Sequence, residues 1–525
     1  MPVSPITRTF KPLLAFNFWQ LTFPISYFIG IFLFHPFRGE FAMDLDEGIN
    51  LIKALLVVRG RSLYTEIWND QPPLLTYLLA ALFKTLGLKI VLARLLILAL
   101  ACLLVWALIR FLWLNAGRLH AIFGFLLLVT IPQFVRLSVS VMVGLPAIVF
   151  AMLSLLCLAL WHRHHRYPWL VLSALALGLS VMTKLMTGFL VPIFLIGLLV
   201  DQLAGSRRPE IKPATFLPIA IWGLVFVAML VLLTLWVGPG DLWQLYDNHL
   251  AVSALDVFKN DPTLEINYHL RESFPLLIIA LFSLVFLLRA KNWLMLYPLA
   301  WWLCAYLLLL GRTPSWSHHQ LLVTIPAVIS AAYALGEGLT GFFNTFRRRN
   351  PASIIALLST SVCLVSLLAF LIPRVPKTIS QFNPYPSIKN PVLRQTSAEV
   401  RFLTLIRKYA RETHWIVTDQ PMYAFRTELS IPPNLAVFTA TRVYTGQITE
   451  AEILETIQLY RPEQVLFGLL EFPSIEAYLK SRYELVHSSG DTRLYIRQDV
   501  SQRGKSSATQ LPRWSSLTTH LEPAP

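Results

Sequence analysis

Apolar residues gather along this chain in repeated runs of about 20, the helical length that matches a bilayer's hydrocarbon core. The pattern predicts eleven crossings, at 14–35, 88–113, 119–137, 138–161, 167–183, 186–203, 214–237, 273–289, 292–311, 319–340 and 351–373. Segment 72–87 is apolar but too short to cross, so it is expected to lie in the membrane interface as a helix. Residues 46–60 predict another helix, acidic at the start and basic later, which suits the helix dipole.

After Pro373 the pattern changes. Residues 374–396, rich in Pro, Asn and Ser, read as a linker between a transmembrane domain at 1–373 and a second domain at 397–498. There, helical patterns at Val400–Ala410, Ile448–Leu459 and Ile475–Ser481 alternate with strand patterns at Trp415–Asp419, Gln464–Phe467 and Arg493–Arg497. The expected fold is a polytopic α-helical membrane protein with a small C-terminal α/β domain and a disordered tail at 499–525.

Composition supports this class. Of the 525 residues, 55% are hydrophobic and only 14% charged, where a soluble chain carries about 25%. Cys102, Cys157, Cys304 and Cys363 fall inside apolar spans, where packing is a better reading than disulfides or zinc. The net charge of +15 would suggest nucleic acid in a soluble protein. Here basic residues cluster at Arg110–Arg118, His162–Arg166, Arg207–Lys212, Arg289–Lys291 and Arg347–Arg349, between spans that parity places on one side. The positive-inside rule makes that side cytoplasmic, with the N-terminus, so no nucleic-acid partner is expected. The opposite side receives 36–87, a hairpin tip at Lys184, loops 238–272 and 311–318, and everything beyond 374. No small-residue cleavage site follows the first apolar segment, which is read as a retained helix of a plasma-membrane, multi-pass protein.

The candidate chemistry concentrates in a polar island from Asp44 to Pro73. Asp44, Asp46 and Glu47 suit a helix N-cap with acidic first-turn residues, and equally a carboxylate base at a cavity mouth. Lys53, Arg59, Arg61 and Tyr64 are either interfacial anchors or a grip for phosphate. Arg94 lies inside a span, where a charge marks function or a buried pair. Lys184 and the His318–His319 pair face the same side, beside Arg312 and Trp316. Asp247, His249, Asp256, Asp261, Glu265 and His269 in the long outer loop match no metal spacing and read as solvated loop.

Asp46-Glu47, Gly60-x-x-x-Tyr64, Trp68-x-x-Gln71-Pro72-Pro73, Gly87 and Arg94 resemble the first outer loop of the GT-C glycosyltransferases, in particular the protein O-mannosyltransferase and aminoarabinose transferase group. Gly178–Lys184 and His318–Pro326 are similar to later landmarks, so the resemblance spans about 14–373. It implies an inverting transfer from a polyprenyl-phosphate sugar to a glycan, lipid or protein acceptor on the outer face of the membrane. It further implies Asp46 and Glu47 as the catalytic pair, and Arg61, Tyr64, Gln71, Lys184, His318 and His319 around the donor and its phosphate. Asp70 falls where some relatives place a metal-binding acid, with His249 or His269 as its partner; no cofactor is required, and a divalent metal is left open. Two departures stand out: Gln71 replaces a lysine frequent before the Pro-Pro, and 138–146 carries no acid. The rival expectations are a transporter of polyprenyl-linked saccharides and a non-catalytic anchor for the C-terminal domain.

Overall fold

The computed structural model describes residues 18–205, 216–238, 240, 243–245, 261–290, 292–348, 354–382 and 397–509. The predicted spans are helices in the expected order: Trp19–Phe34, Ile90–Asn115, Arg118–Val129, Gly144–His164, Tyr167–Val181, Leu190–Gly205, Leu217–Val237, Phe274–Ala290, Leu296–Leu310, Gln320–Arg348 and Ile354–Ile379. Among the described residues, eight segments are long and apolar enough to cross a membrane; Trp19–Phe34, Arg118–Val129 and Tyr167–Val181 are shorter. Leu224, Leu232, Val365 and Ile372 lie exposed on the outside of the bundle, as lipid-facing side chains do, while Trp222, Trp301 and Phe111 fill its inside. Hydroxyls tie helices together: Ser180 Oγ donates to the Ala147 carbonyl at 2.7 Å and Ser154 Oγ to the Ser173 carbonyl at 2.7 Å.

The expected spans at 119–137 and 138–161 are corrected. The first helix ends at Val129, a short helix Pro132–Leu137 follows, and 138–143 is irregular before Gly144 starts the next long helix. Pro132 lacks a backbone donor and takes the first position of the short helix, where none is needed, so the break falls just before it. The irregular stretch is buried, and the first outer loop takes up both backbone groups of Val141. Asn50 Nδ2 donates to the Val141 carbonyl at 2.9 Å, and the Val141 N–H donates to Glu47 Oε1 at 3.3 Å.

The first outer loop carries the two expected helices, Leu45–Val58 and Leu74–Leu86. Asp44 is the N-cap of the former, its Oδ1 accepting from the Asp46 N–H at 3.4 Å. The linker expectation is corrected in part: the last membrane helix continues through Pro373 and Pro376 to Ile379, and Lys377 and Arg374 pair with Glu272. Residues 383–396 lie outside the described residues.

The C-terminal part holds a four-stranded sheet of order β1-β2-β4-β3, where β1 is Ile416–Thr418, β2 Gln464–Phe467, β3 Tyr483–Ser489 and β4 Thr492–Arg497. Strands β1 and β2 pair in parallel, and β4 pairs antiparallel with both β2 and β3. The helix Glu450–Tyr460 between β1 and β2 starts with a capping box of Thr449 and Glu452. Strand β3 and the helices Pro421–Arg426 and Ala440–Tyr444 are not among the predicted elements, and the expected tail begins instead with a helix, Gln498–Thr509.

The sheet domain rests on the first outer loop. Pro421–Arg426 packs on Leu45–Val58 so closely that a Cβ at Gly48 would lie 2.6 Å from the Met422 nitrogen. Phe41 meets Tyr423 at 4.7 Å between ring centroids and Phe83 meets Phe425 at 5.4 Å. Arg59 reaches the Ser430 hydroxyl and donates to the Glu428 carbonyl at 2.6 Å.

Candidate active site

Between the first outer loop, the outer helix ends and the sheet domain lies a cavity of about 1070 Å³. Its floor carries Asp44, Asp46, Lys53 and Asp70, and one wall carries Arg136, Lys184, Arg312 and His318. Leu185, Met186, Phe189 and Leu308 make an apolar flank. The roof comes from the sheet domain: Asp419–Met422 after β1, Leu469 and Leu470 after β2, and Val437–Thr441. This is the crevice at the carboxyl ends of parallel strands, the usual ligand side of α/β sheets. Asp419 fixes it by accepting the N–H groups of Gly468, Leu469 and Leu470, the last two at 2.7 and 2.9 Å.

Asp44, Asp46 and His318 bring ligand atoms within 4.8 Å of one another. Asp44 is committed twice, to the Asp46 N–H and, through Oδ2, to Arg136 Nη2 at 2.9 Å. The Asp46 side chain accepts no hydrogen bond among the described residues, which leaves it available to a ligand. Burial, then the charges of Asp44 and Asp70, push its carboxyl up to about 6, against the pull of Lys184 and Lys53. Lys184 moves the opposite way, down to about 8, through burial and the neighbouring Arg312. Lys53 is buried, with its Nζ donating to Asn69 Oδ1 at 2.8 Å.

Glu47 has a different setting from its neighbour. It is fully buried, gripped by Arg94 through Nε at 2.9 Å and Nη2 at 2.7 Å, and it accepts the Met43 N–H at 2.8 Å. Glu47, expected as half of a catalytic pair, is thus set apart from the cavity lining: both of its oxygens are engaged by Arg94 and by backbone N–H groups of the loop. Arg61, expected at the donor phosphate, is likewise not among the residues lining the cavity. It follows the far end of the helix whose first turn holds Asp46, a helix roughly 20 Å long. There it pairs with Glu66 at 2.7 Å and borders a separate hollow with Arg59, His414 and Trp415.

Tyr64 is buried below the cavity, its hydroxyl donating to the Gln71 carbonyl at 2.7 Å; it shapes the Asn69–Gln71 turn. Gln71, Asp70, Lys184, His318 and His319 do line the cavity. His249 and the neighbouring Asp247 and Asp256 lie outside the described residues. The residues missed at the sequence level are Arg136 and the roof. Arg136 stood inside a predicted span, where a charge is itself a signal of function.

A metal ion would find its donors in Asp44, Asp46 and His318. As arranged, however, Arg136 occupies Asp44, and both Arg136 and Lys184 lie within electrostatic reach of His318. Asp44 is already held by Arg136, so a divalent ion that took all three donors would have to displace that guanidinium.

Comparison with known proteins agrees with this architecture. Residues 70–236 match the family model described as dolichyl-phosphate-mannose-protein mannosyltransferase. No curated protein matches by sequence. The structure is similar to that of ArnT from Cupriavidus metallidurans bound to undecaprenyl phosphate, with a TM-score of 0.60, 13% identity, and coverage of 92% of this chain and 98% of that one. It is also similar to the oligosaccharyltransferase AglB from Archaeoglobus fulgidus in complex with an inhibitory peptide and a dolichol-phosphate, with a TM-score of 0.52, 11% identity, and coverage of 92% and 74%. The chain is thus a multi-pass membrane protein with the fold that ArnT and AglB display.

Proposed function

We propose that this protein is an inverting glycosyltransferase that moves a sugar from a polyprenyl-phosphate donor to an acceptor hydroxyl on the outer face of the membrane. The observation that carries the reading is one cavity in which an unengaged carboxylate, Asp46, faces Lys184 and Arg312 beside an apolar flank. The polyprenyl tail lies along Leu185, Phe189 and Leu308, and its phosphate meets Lys184 and Arg312. ArnT with undecaprenyl phosphate and AglB with a dolichol-phosphate support that class of donor.

In the reaction, the acceptor oxygen attacks the anomeric carbon while Asp46 takes its proton. The bond from that carbon to the phosphate oxygen breaks, and polyprenyl phosphate leaves with a negative charge that Lys184 and Arg312 stabilise. A single displacement inverts the anomeric centre. Burial raises the Asp44 carboxyl and Arg136 opposes that rise while holding Asp44 beside Asp46, whose basicity the Asp44 charge increases. The acceptor enters under the sheet-domain roof.

The test is transfer of radiolabelled sugar from undecaprenyl-phosphate-linked donors by the purified protein in nanodiscs. Asp46→Asn is expected to abolish transfer while undecaprenyl phosphate still binds. Transfer at the wild-type rate by that variant would overturn the assignment.

A further inference from the structure

We propose that Arg426 of the sheet domain is a positioning residue that sets the conformation of the acid-bearing segment Glu40–Glu47 and so couples domain docking to the competence of Asp46. The inference rests on the reading of Asp46 as the base.

Arg426 ends the short helix Pro421–Arg426 and reaches into the membrane half. Its Nη2 donates to the Phe41 carbonyl at 2.7 Å and to the Glu40 carbonyl, and its Nε donates to Phe41 at 3.0 Å. From the other side, Arg94 Nη1 donates to the same Glu40 carbonyl at 3.0 Å and also to the Phe37 carbonyl. One peptide oxygen is therefore held by guanidinium groups from both halves of the protein.

The strand of backbone leading from that oxygen closes on itself. Met43 donates to Glu47, Glu47 is gripped by Arg94, and the Glu47 N–H returns to the Asp44 carbonyl at 3.3 Å. Asp44 and Asp46 project from this closed loop into the cavity. Arg94 alone leaves the Phe41 carbonyl unheld; Arg426 supplies both of its hydrogen bonds. Two like charges so close to one carbonyl also repel, and the Glu47 charge partly offsets that repulsion. The arrangement is therefore set by geometry and not by charge alone.

The opposite end of the same helix touches the site too. Pro421 and Met422 line the cavity, and Met422 sits against Gly48, one residue beyond Glu47. A helix of six residues thus presses on the acid-bearing segment from both ends. Guanidinium is suited to this task because its planar fork serves two carbonyls at once, whereas a lysine can reach them only as a point donor.

The experiment is amide hydrogen exchange on the full-length protein in nanodiscs, comparing wild type with Arg426→Ala, Arg426→Gln and Arg426→Lys, alongside donor kinetics with undecaprenyl-phosphate-linked sugar. In Arg426→Ala, exchange across residues 39–48 is expected to rise about tenfold or more while β2 and β4 keep their protection. Turnover should fall by about ten- to a hundredfold with the donor KM within about twofold, the mark of a misplaced base. Lys is expected to recover part of the rate. Unchanged exchange at 39–48 in both the Ala and Gln variants would overturn the proposal, as would opened exchange with unchanged turnover. The Gln variant covers the case in which Ala unfolds the sheet domain. If the wild type transfers no sugar from any polyprenyl-phosphate donor, the functional reading falls, whereas the exchange comparison still decides whether Arg426 orders the segment.

Discussion

Arg94 and Glu47 meet as a two-point ion pair with neither side chain exposed, the guanidinium having come from a membrane helix and the carboxylate from the first outer loop. Breaking one side of such a pair leaves an uncompensated buried charge, at a cost of about 3–5 kcal/mol. Arg94→Met and Glu47→Met should each lower the thermal midpoint in detergent, and the double variant should recover a large part of the loss. Equal, additive losses would show that the two residues act independently.

Asp46 ties stability to pH in a defined direction. Its folded carboxyl, near 6, lies above the ordinary value of 3.8, so the folded state holds the proton more tightly than the unfolded one. Wild-type stability therefore falls as pH rises from about 4 through 6, and Asp46→Asn escapes that loss. Melting curves should place the variant above wild type at pH 7.5, with the gap closing toward pH 4. Transfer by wild type should instead rise through pH 6 as the base ionises.

Lys184, with its ammonium held down to about 8, must be protonated to grip phosphate. Undecaprenyl phosphate should bind well below pH 8 and more weakly as pH rises through it. Lys184→Ala should reduce affinity about tenfold, the equivalent of one charge-assisted hydrogen bond, and flatten the pH dependence. Tryptophan quenching at Trp316, which lines the same cavity, offers a readout.

Because Arg136 already occupies Asp44, removal of divalent ions should leave transfer nearly unchanged. Activity within about twofold after chelation is expected, and Arg136→Ala should make the protein more responsive to added magnesium or manganese by freeing a carboxylate. A chelator-sensitive wild type would contradict this arrangement of charges.

Gly48→Ala should loosen the docking of the sheet domain, since the added methyl would press into the Met422 backbone, which cannot swing aside as a side chain would. Limited proteolysis of the region from Ser397 onward is expected to speed up while the membrane helices stay intact.

The sequence made the membrane half legible because helices in lipid must be apolar over a fixed length, and that length appears directly as runs of residues. Where the rule gave way, at 119–161, a proline and an irregular buried stretch broke the pattern, and the break lies beside the candidate site. Asp46, Lys184 and His318 could be singled out as charged or titratable groups beside spans. Glu47 and Arg61 could not be sorted from them, because a first-turn carboxylate faces either way and the distance along a helix becomes decisive only in three dimensions. Strand β3 escaped because it leaves the helix Pro473–Arg482 directly, with Tyr483 already extended and no turn residue to announce it.

The roof has a consequence for how such a protein can diversify. The chamber around Asp46 is walled on one side by lipid-facing helices and on the other by loops that follow β1 and β2, encoded more than three hundred residues further along. Substitutions at Gln420, Thr439 or Leu469 can reshape one wall without touching a membrane helix. Selectivity for what arrives from water can then drift while selectivity for what arrives from the bilayer stays fixed, two traits inherited on separate stretches of one chain.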